Sequence, residues 1–177
     1  MLQPRMAAIV SMIFAAAASR LLPHPPNLTA MTAMALFAGA SLSDWRLALA
    51  VPLTALLLSD ALIGFYGHME IVYASFALVV GVGLLIRRHR SVPKIGAAAL
   101  SSSVLFFVLT NFGVWATESM YPKTVSGLIA CYVAAIPFFR NMLVGDLFYA
   151  LILFGGLALL ERSMPSLRER QALPSPA

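Results

Sequence analysis

The side chains that could do chemistry in this sequence are polar residues set inside long apolar stretches. Asp60 lies in Leu-Ser-Asp-Ala-Leu-Ile-Gly, and Arg140, Asn141 and Asp146 interrupt a later apolar run. Such groups are costly in lipid unless they face protein, water or a ligand. We expect them to bind a polar ligand, to carry protons, or to form internal ion pairs, Asp60 with Arg20 and Asp146 with Arg140.

Catalytic and metal-binding patterns are missing from the sequence. It has no HExxH pair, no glycine-rich phosphate loop and no Ser/His/Asp set at matching depths. Cys131 is the only cysteine, which excludes an internal disulfide and a CxxC metal site. We therefore predict a protein that is not an enzyme, holds no metal and has no resident cofactor.

The composition is that of an integral membrane protein. Only 11% of the 177 residues are charged and 60% are hydrophobic, whereas soluble domains are about 25% charged. The mean hydropathy is +0.88 and the pI is about 9.9. Basic loops on the cytoplasmic side explain that pI, so we predict a lipid bilayer and no nucleic acid as partner.

The apolar segments predict an all-α protein with six transmembrane helices and one short outer helix. A span takes about 20 apolar residues, and the segment 125–138 is too short and ends at Pro137. The six predicted spans cover residues 6–22, 28–42, 47–66, 71–86, 95–115 and 141–160.

The distribution of basic residues predicts the orientation. With six spans, nine of the twelve Lys and Arg residues lie on the side of both termini, so the positive-inside rule places the termini in the cytoplasm. A seventh span would divide them equally. We predict a single transmembrane substrate-binding domain over residues 1–162 and a disordered cytoplasmic tail over 163–177.

Polar residues of four different spans share one depth in this topology. Asp60, Asn111 and Asp146 lie roughly 6–9 Å below the outer face, at 1.5 Å per helical residue, and Tyr73 and Ser75 lie at a similar level. The inner half has almost no such groups. This asymmetry predicts a cavity that opens outward.

Several motifs resemble those of a known family. They are the small-residue first helix, Pro-Asn-Leu-Thr-Ala-Met, Thr-Asn-Phe-Gly-Val-Trp and Ile-Pro-Phe-Phe-Arg-Asn-Met. Over residues 6–162 the sequence resembles DUF6580, a group of small bacterial membrane proteins. More broadly, it is similar to the substrate-binding S components of energy-coupling-factor (ECF) vitamin transporters.

This resemblance implies a multi-pass protein of the bacterial inner membrane with a vitamin site near the outer face. It also implies capping of that site by the first outer loop and by the loop before helix six. S components dock ECF transmembrane and ATPase subunits through a small-residue stripe on helix one. The matching stripe here is Ala7, Ser11, Ala15 and Ser19, with serines in place of two alanines.

Within this class the sequence resembles the solitary cobalamin transporters. They are associated with a cysteine ligand to cobalt, whereas this sequence has Ser75 at the position that corresponds best and Cys131 in the outer helix. A hydroxyl is a poorer cobalt ligand than a thiolate. His68 is the alternative ligand.

The leading hypothesis is uptake of a vitamin-like micronutrient, with cobalamin as the first candidate. We predict that the ligand binds under a lid formed by residues 20–27. The alternatives are a proton-coupled carrier of a small solute and an assembly subunit without ligand, whose interior would be filled and whose aspartates would both be ion-paired. The predicted binding residues are Asn27, Asp60, His68, Tyr73, Ser75, Asn111, Trp115, Arg140, Asn141 and Asp146.

Overall fold

The computed structural model describes residues 3–168, and these form six α-helices and no β-strand. Short 3₁₀ turns follow the first helix (Ser19–Leu21) and the last (Pro165–Leu167). Five of the helices are long and apolar enough to cross a membrane, so the chain is an all-helical, multi-pass membrane protein. The helices are α1 (Pro4–Ala18), α2 (Met31–Ser41), α3 (Trp45–Ile63), α4 (Met69–Ile86), α5 (Val92–Thr117) and α6 (Val125–Ser163).

Helix α2 is the centre of the bundle. All eleven of its residues are buried, and α1, α3, α4, α5 and α6 all pack against it. Its sequence is apolar on every side, which is the pattern of a fully buried helix. At 1.5 Å per residue it is only about 16 Å long, so the predicted second helix exists but is too short to span a bilayer alone.

Two glycines let α2 and α4 approach closely. A Cβ on Gly39 would lie 2.2 Å from the carbonyl oxygen of Val80, and one on Gly83 would lie 2.3 Å from that of Leu36. No other residue type fits at these two positions. The close approach fixes the position of α2 in the bundle.

The bundle has two chemically different ends. The upper end carries the α1–α2, α3–α4 and α5–α6 connections, and there Arg20 of the first connection meets Asp60 of α3. The lower end carries the other connections and the two ends of the described chain. There Arg5 pairs with Glu161 at 2.9 Å, and Arg87 donates a hydrogen bond to the carbonyl of Leu42 at the end of α2.

The prediction of a separate outer helix before helix six was wrong. Residues 125–163 form one continuous helix that passes through Pro137. A proline removes one backbone hydrogen bond, but packing on α5 holds the helix on both sides of it. The hydroxyl of Tyr132 donates to the carbonyl of Val108 at 2.7 Å, and the ring of Phe139 lies 4.6 Å from that of Phe107.

The first residues of the predicted disordered tail are ordered in the structure. Residues 165–167 form a 3₁₀ turn in which Leu167 is buried. The Nε of Arg168 donates to the carbonyl of Glu161 at 3.0 Å. An apolar anchor and a charged hydrogen bond therefore fix this segment, and residues 169–177 of the predicted tail lie outside the described residues.

Candidate ligand-binding cavity

A cavity of about 470 Å³ lies at the upper end of the bundle. It has contributions from the α1–α2 and α3–α4 connections and from all helices except α1. Its lining combines an aromatic surface with a small number of polar groups, which is typical of small-molecule sites. The lining residues are Arg20, His24, Asn27, Thr29, Met31, Thr32, Leu56, Tyr66, Val72, Phe76, Phe106, Phe107, Thr110, Asn111, Val114, Ala135, Phe138, Phe139 and Met142.

The α1–α2 connection forms one side of this cavity because α2 begins deep in the bundle. Pro23, Pro25 and Pro26 keep the connection out of a regular helix. Asn27 has a positive φ of 61°, which its short polar side chain tolerates. Irregular backbone at membrane depth is stable only where it is buried in protein or lines a cavity.

Helix α6 holds this connection in place. The side-chain Nδ2 of Asn141 donates to the carbonyl of Pro26 at 3.0 Å. One turn further on, a Cβ on Gly145 would lie 3.2 Å from the backbone nitrogen of Thr29. The predicted lid is therefore a segment tied to α6 that contributes His24, Asn27 and Thr29 to the lining.

Asp60 is completely buried beside the cavity, and its charge is compensated. Arg20 donates hydrogen bonds from Nη1 to Asp60 and, at 3.0 Å, to the hydroxyl of Ser59. The hydroxyl of Tyr73 donates to the second carboxylate oxygen at 3.0 Å. The expected Arg20–Asp60 pair is therefore present. Because the two charges compensate each other, Arg20 adds no net charge to the cavity lining.

Tyr66 belongs to the same cluster and also lines the cavity. It lies in the α3–α4 connection, beside Arg20 and Asp60. Burial, and then the negative charge of Asp60, raise the pKa of Tyr66 above 10. Its phenol therefore stays protonated at neutral pH and can donate a hydrogen bond. Tyr66 is not among the binding residues predicted from the sequence.

Asp146 lies behind the floor of the cavity. Its Oδ2 accepts a hydrogen bond of 2.6 Å from Ser103, and its Oδ1 is buried without a hydrogen-bond partner among residues 3–168. It neighbours the Thr32 side chain and the backbone N–H of Ala33 in the first turn of α2. A carboxylate is favourable at a helix N-terminus, and Thr32 connects it to the cavity.

The expected ion pair between Arg140 and Asp146 does not form. Arg140 is exposed on α6, whereas Asp146 is 1% exposed and binds Ser103. The two residues are six positions apart, which is more than one and a half helical turns. They therefore project from different faces of α6.

The predicted binding residues fall into three groups in the structure. Asn27 and Asn111 line the cavity, and Asp60, Tyr73, Asn141 and Asp146 support the elements around it. The other four lie outside the lining, and three of them have local partners. These are Ser75, which donates to the carbonyl of Ile71, His68, which pairs with Glu70 at 3.4 Å, Trp115, which donates to the carbonyl of Pro122, and the exposed Arg140.

The sequence analysis did not anticipate the aromatic part of the lining. Phe76 packs on Phe106 with ring centroids 4.8 Å apart, and Phe107 packs on Phe139 at 4.6 Å. Four of the lining aromatic residues come from the two Phe-Phe pairs at 106–107 and 138–139. Aromatic side chains offer a ligand flat stacking surfaces.

The residues considered as cobalt ligands do not meet in this cavity. The thiol of Cys131 is buried and points to the carbonyl of Asn111 at 3.5 Å. Ser75 and His68 lie outside the lining, and His24 is the imidazole that reaches it. Residues 3–168 contain no group of three His, Cys, Asp or Glu side chains that could hold a metal ion.

The small-residue stripe of α1 does not pack within the bundle. Ala7, Ser11 and Ala15 are exposed. Ser19 is half-buried and donates its hydroxyl to the carbonyl of Ala16 at 2.6 Å. The first three residues of the stripe therefore do not serve packing within the bundle.

Comparison with known proteins gives a family but no relative of known activity. No curated protein and no solved structure matches the chain. The match to one protein family covers residues 1–167, nearly the whole sequence. The chain therefore belongs to DUF6580, which is described as a family of unknown function.

Proposed function

We propose that this protein binds a small vitamin-like solute in the upper cavity and takes part in its uptake across the bacterial inner membrane. One observation carries the proposal. An irregular backbone segment, the α1–α2 connection, packs beside the middle of the long apolar helix α6 and lines a cavity of about 470 Å³. Such an arrangement is the usual mark of a binding site in a membrane protein.

The lining argues for an uncharged ligand with a planar ring. Six of its side chains are aromatic, and Arg20, its one side chain with a fixed charge among the described residues, is already paired with Asp60. An anionic ligand would have to compete with that carboxylate. Asn27, Thr32 and Asn111 offer hydrogen bonds that would orient the polar edge of a ring.

The cavity volume argues for a ligand smaller than cobalamin. About 470 Å³ lies in the lower half of the range of roughly 300–1,000 Å³ for drug-sized ligands. Cobalamin is a macrocycle with a nucleotide loop and several amide side chains. Cys131, Ser75 and His68, the considered cobalt ligands, also lie outside the lining. We therefore favour a single-ring or fused-ring vitamin over a corrinoid.

The proposed orientation places the cavity on the outer side. Nine of the twelve Lys and Arg residues fall on the opposite side in the six-span topology. Uptake would need either a coupling ECF transmembrane and ATPase module or reorientation of the protein alone. The exposed face of Ala7, Ser11 and Ala15 is the candidate docking surface for such a module.

Binding to a panel of vitamins tests the proposal. The purified full chain should gain thermal stability with at least one uncharged heteroaromatic vitamin and not with its phosphorylated form. A compound at about 100 times its Kd stabilises by about 2.7 kcal/mol, which thermal unfolding in detergent detects easily. If no compound of the panel stabilises the protein, the proposal is wrong.

Asp146 favours a second candidate, proton-coupled uptake of a small solute. Its Oδ1 is buried and unpartnered within the described residues, and Thr32 lies between it and the cavity. A carboxyl that can exchange a proton beside a bound solute is what such a carrier needs. Asp146→Asn should then abolish the dependence of proteoliposome uptake on a proton gradient and leave binding intact. Uptake by the unaltered protein that ignores the gradient excludes this function.

A further inference from the structure

Two polar side chains of α5 that line the upper cavity donate hydrogen bonds to their own helix. The hydroxyl of Thr110 donates to the carbonyl of Phe106 at 2.8 Å, and Nδ2 of Asn111 donates to the carbonyl of Phe107 at 2.8 Å. A hydroxyl has one hydrogen and two lone pairs, and a side-chain amide has a carbonyl oxygen besides its NH₂ group. Thr110 therefore meets a ligand as a hydrogen-bond acceptor, and Asn111 adds its carbonyl oxygen.

His24 reaches the same cavity from the α1–α2 connection, and its surroundings select one tautomer. Its Nδ1 lies 2.7 Å from the carbonyl oxygen of Leu22. Because a carbonyl oxygen only accepts, the hydrogen is on Nδ1, and the neutral imidazole has a lone pair on Nε2. His24 is thus a third acceptor of the lining, contributed by a different element from the first two.

The two acceptors of α5 lie beside an aromatic surface. Phe106, Phe107, Thr110, Asn111 and Val114 all line the cavity, at the spacing of neighbours on one helix face. One helical turn rises about 5.4 Å, so a planar ring that packs on the two phenylalanines has its edge at the level of the two polar residues. The groups on that edge meet acceptors, and they must therefore carry hydrogen.

The lining has hydrogen-bond donors in another place, around Arg20. Nη1 of Arg20 donates to Asp60 and Ser59, and these bonds leave its Nε and Nη2 hydrogens for other acceptors. The phenol of Tyr66 lies beside the pair and is a further donor. A ligand that satisfies both regions has N–H or O–H groups on one edge and a lone pair on another.

We infer that the ligand is an uncharged nitrogen heterocycle with an exocyclic amino group, and that this group binds to Thr110 and Asn111. The inference rests on the proposed function and names its substrate class. An amino group has two hydrogens, one for each of the two neighbouring acceptors. A ring carbonyl at the same place would set oxygen lone pairs against one another, and unpaired acceptors cost binding free energy. A ring N–H suits Nε2 of His24, and a ring nitrogen suits the donors around Arg20.

Adenine and hypoxanthine are matched probes, because they share one fused ring, are both uncharged at neutral pH and differ in an amino or an oxo group. Isothermal titration of the purified full chain in detergent should show that adenine binds at least about ten-fold more tightly, the effect of one or two hydrogen bonds. Thr110→Val keeps the side-chain shape and removes an acceptor. It should weaken adenine binding about five-fold, the effect of one hydrogen bond, and should not weaken hypoxanthine binding.

Thr117→Val is the matched control. The hydroxyl of Thr117 also donates to the carbonyl four residues earlier, at Gly113, but Thr117 lies outside the lining, so both affinities should stay unchanged. Asn111→Leu should weaken adenine binding as Thr110→Val does. Hypoxanthine that binds as tightly as adenine, no binding of adenine, or equal losses in Thr110→Val and Thr117→Val would overturn the inference. If a vitamin of the panel still stabilises the protein in that case, the proposed function stands without this substrate class.

Discussion

Arg20, in the turn after α1, donates a charged hydrogen bond to Asp60, which is completely buried in the last turn of α3. The pair joins two helices and one side of the cavity. Tyr73 of α4 donates to the same carboxylate at 3.0 Å. Asp60 is thus the point at which the α1–α2 connection, α3 and α4 are held together at the upper end.

We expect the two single substitutions in the Arg20–Asp60 pair to lower the stability of the protein by different amounts. Arg20→Gln leaves a buried carboxylate without its cation, which costs about 3–5 kcal/mol. Asp60→Asn leaves Arg20, whose side chain is 18% exposed and can reach water, so the loss should be smaller, about 1–3 kcal/mol. Tyr73→Phe should cost about 1 kcal/mol or less.

Thermal unfolding in detergent at neutral pH measures the stability losses of these variants. The double variant Arg20→Gln/Asp60→Asn should lose less stability than the two single losses together, since neither charge remains. An Asp60→Asn variant that is less stable than Arg20→Gln would show that the pair does not govern this cluster.

The contact between α2 and α4 predicts that Gly→Ala substitutions differ sharply in their cost to stability. Gly39→Ala and Gly83→Ala would each place a methyl group within 2.3 Å of a backbone oxygen. Overpacking of this kind costs about 1–3 kcal/mol or more. Gly81→Ala, on the same helix as Gly83 but with open space at its Cβ, should leave the unfolding temperature nearly unchanged. Equal effects at Gly81 and Gly83 would contradict the packing described here.

The hydrogen bond from Asn141 to Pro26 predicts that Asn141 holds the α1–α2 connection in place. Asn141→Ala should loosen residues 22–30 and weaken ligand binding, because α6 no longer holds the segment that carries His24 and Asn27. Hydrogen exchange of these backbone amides should become faster. Arg140→Ala is the matched control, since Arg140 is adjacent but exposed, and it should not change the exchange rates.

Much of the fold follows from the apolar pattern, and its main error has a local cause. Hydropathy placed all six helices, and the buried polar residues lie at the upper end, where the candidate cavity is. Pro137 predicted a helix end, but the contacts of Tyr132 and Phe139 with α5 compensate for the lost hydrogen bond. Such contacts are tertiary, so local sequence does not reveal them.

The sequence indicated where the candidate site lies better than it indicated which residues line it. Asp60 and Asp146 pointed to the end that holds the candidate cavity because buried charge in a membrane requires a partner. Both are supporting groups behind the cavity rather than part of its lining. The lining comes from Phe106, Phe107 and Phe139, and an apolar side chain in a membrane helix gives no sequence signal that separates a ligand contact from a lipid contact.

The location of the ligand is tested most directly by two adjacent tryptophan substitutions. Ala135 lines the cavity on α6, whereas Ala134 is exposed on another face of the same turn. For any vitamin that stabilises the unaltered protein, Ala135→Trp should abolish the stabilisation by filling the cavity, and Ala134→Trp should preserve it. A vitamin that stabilises both variants equally would contradict binding in the upper cavity.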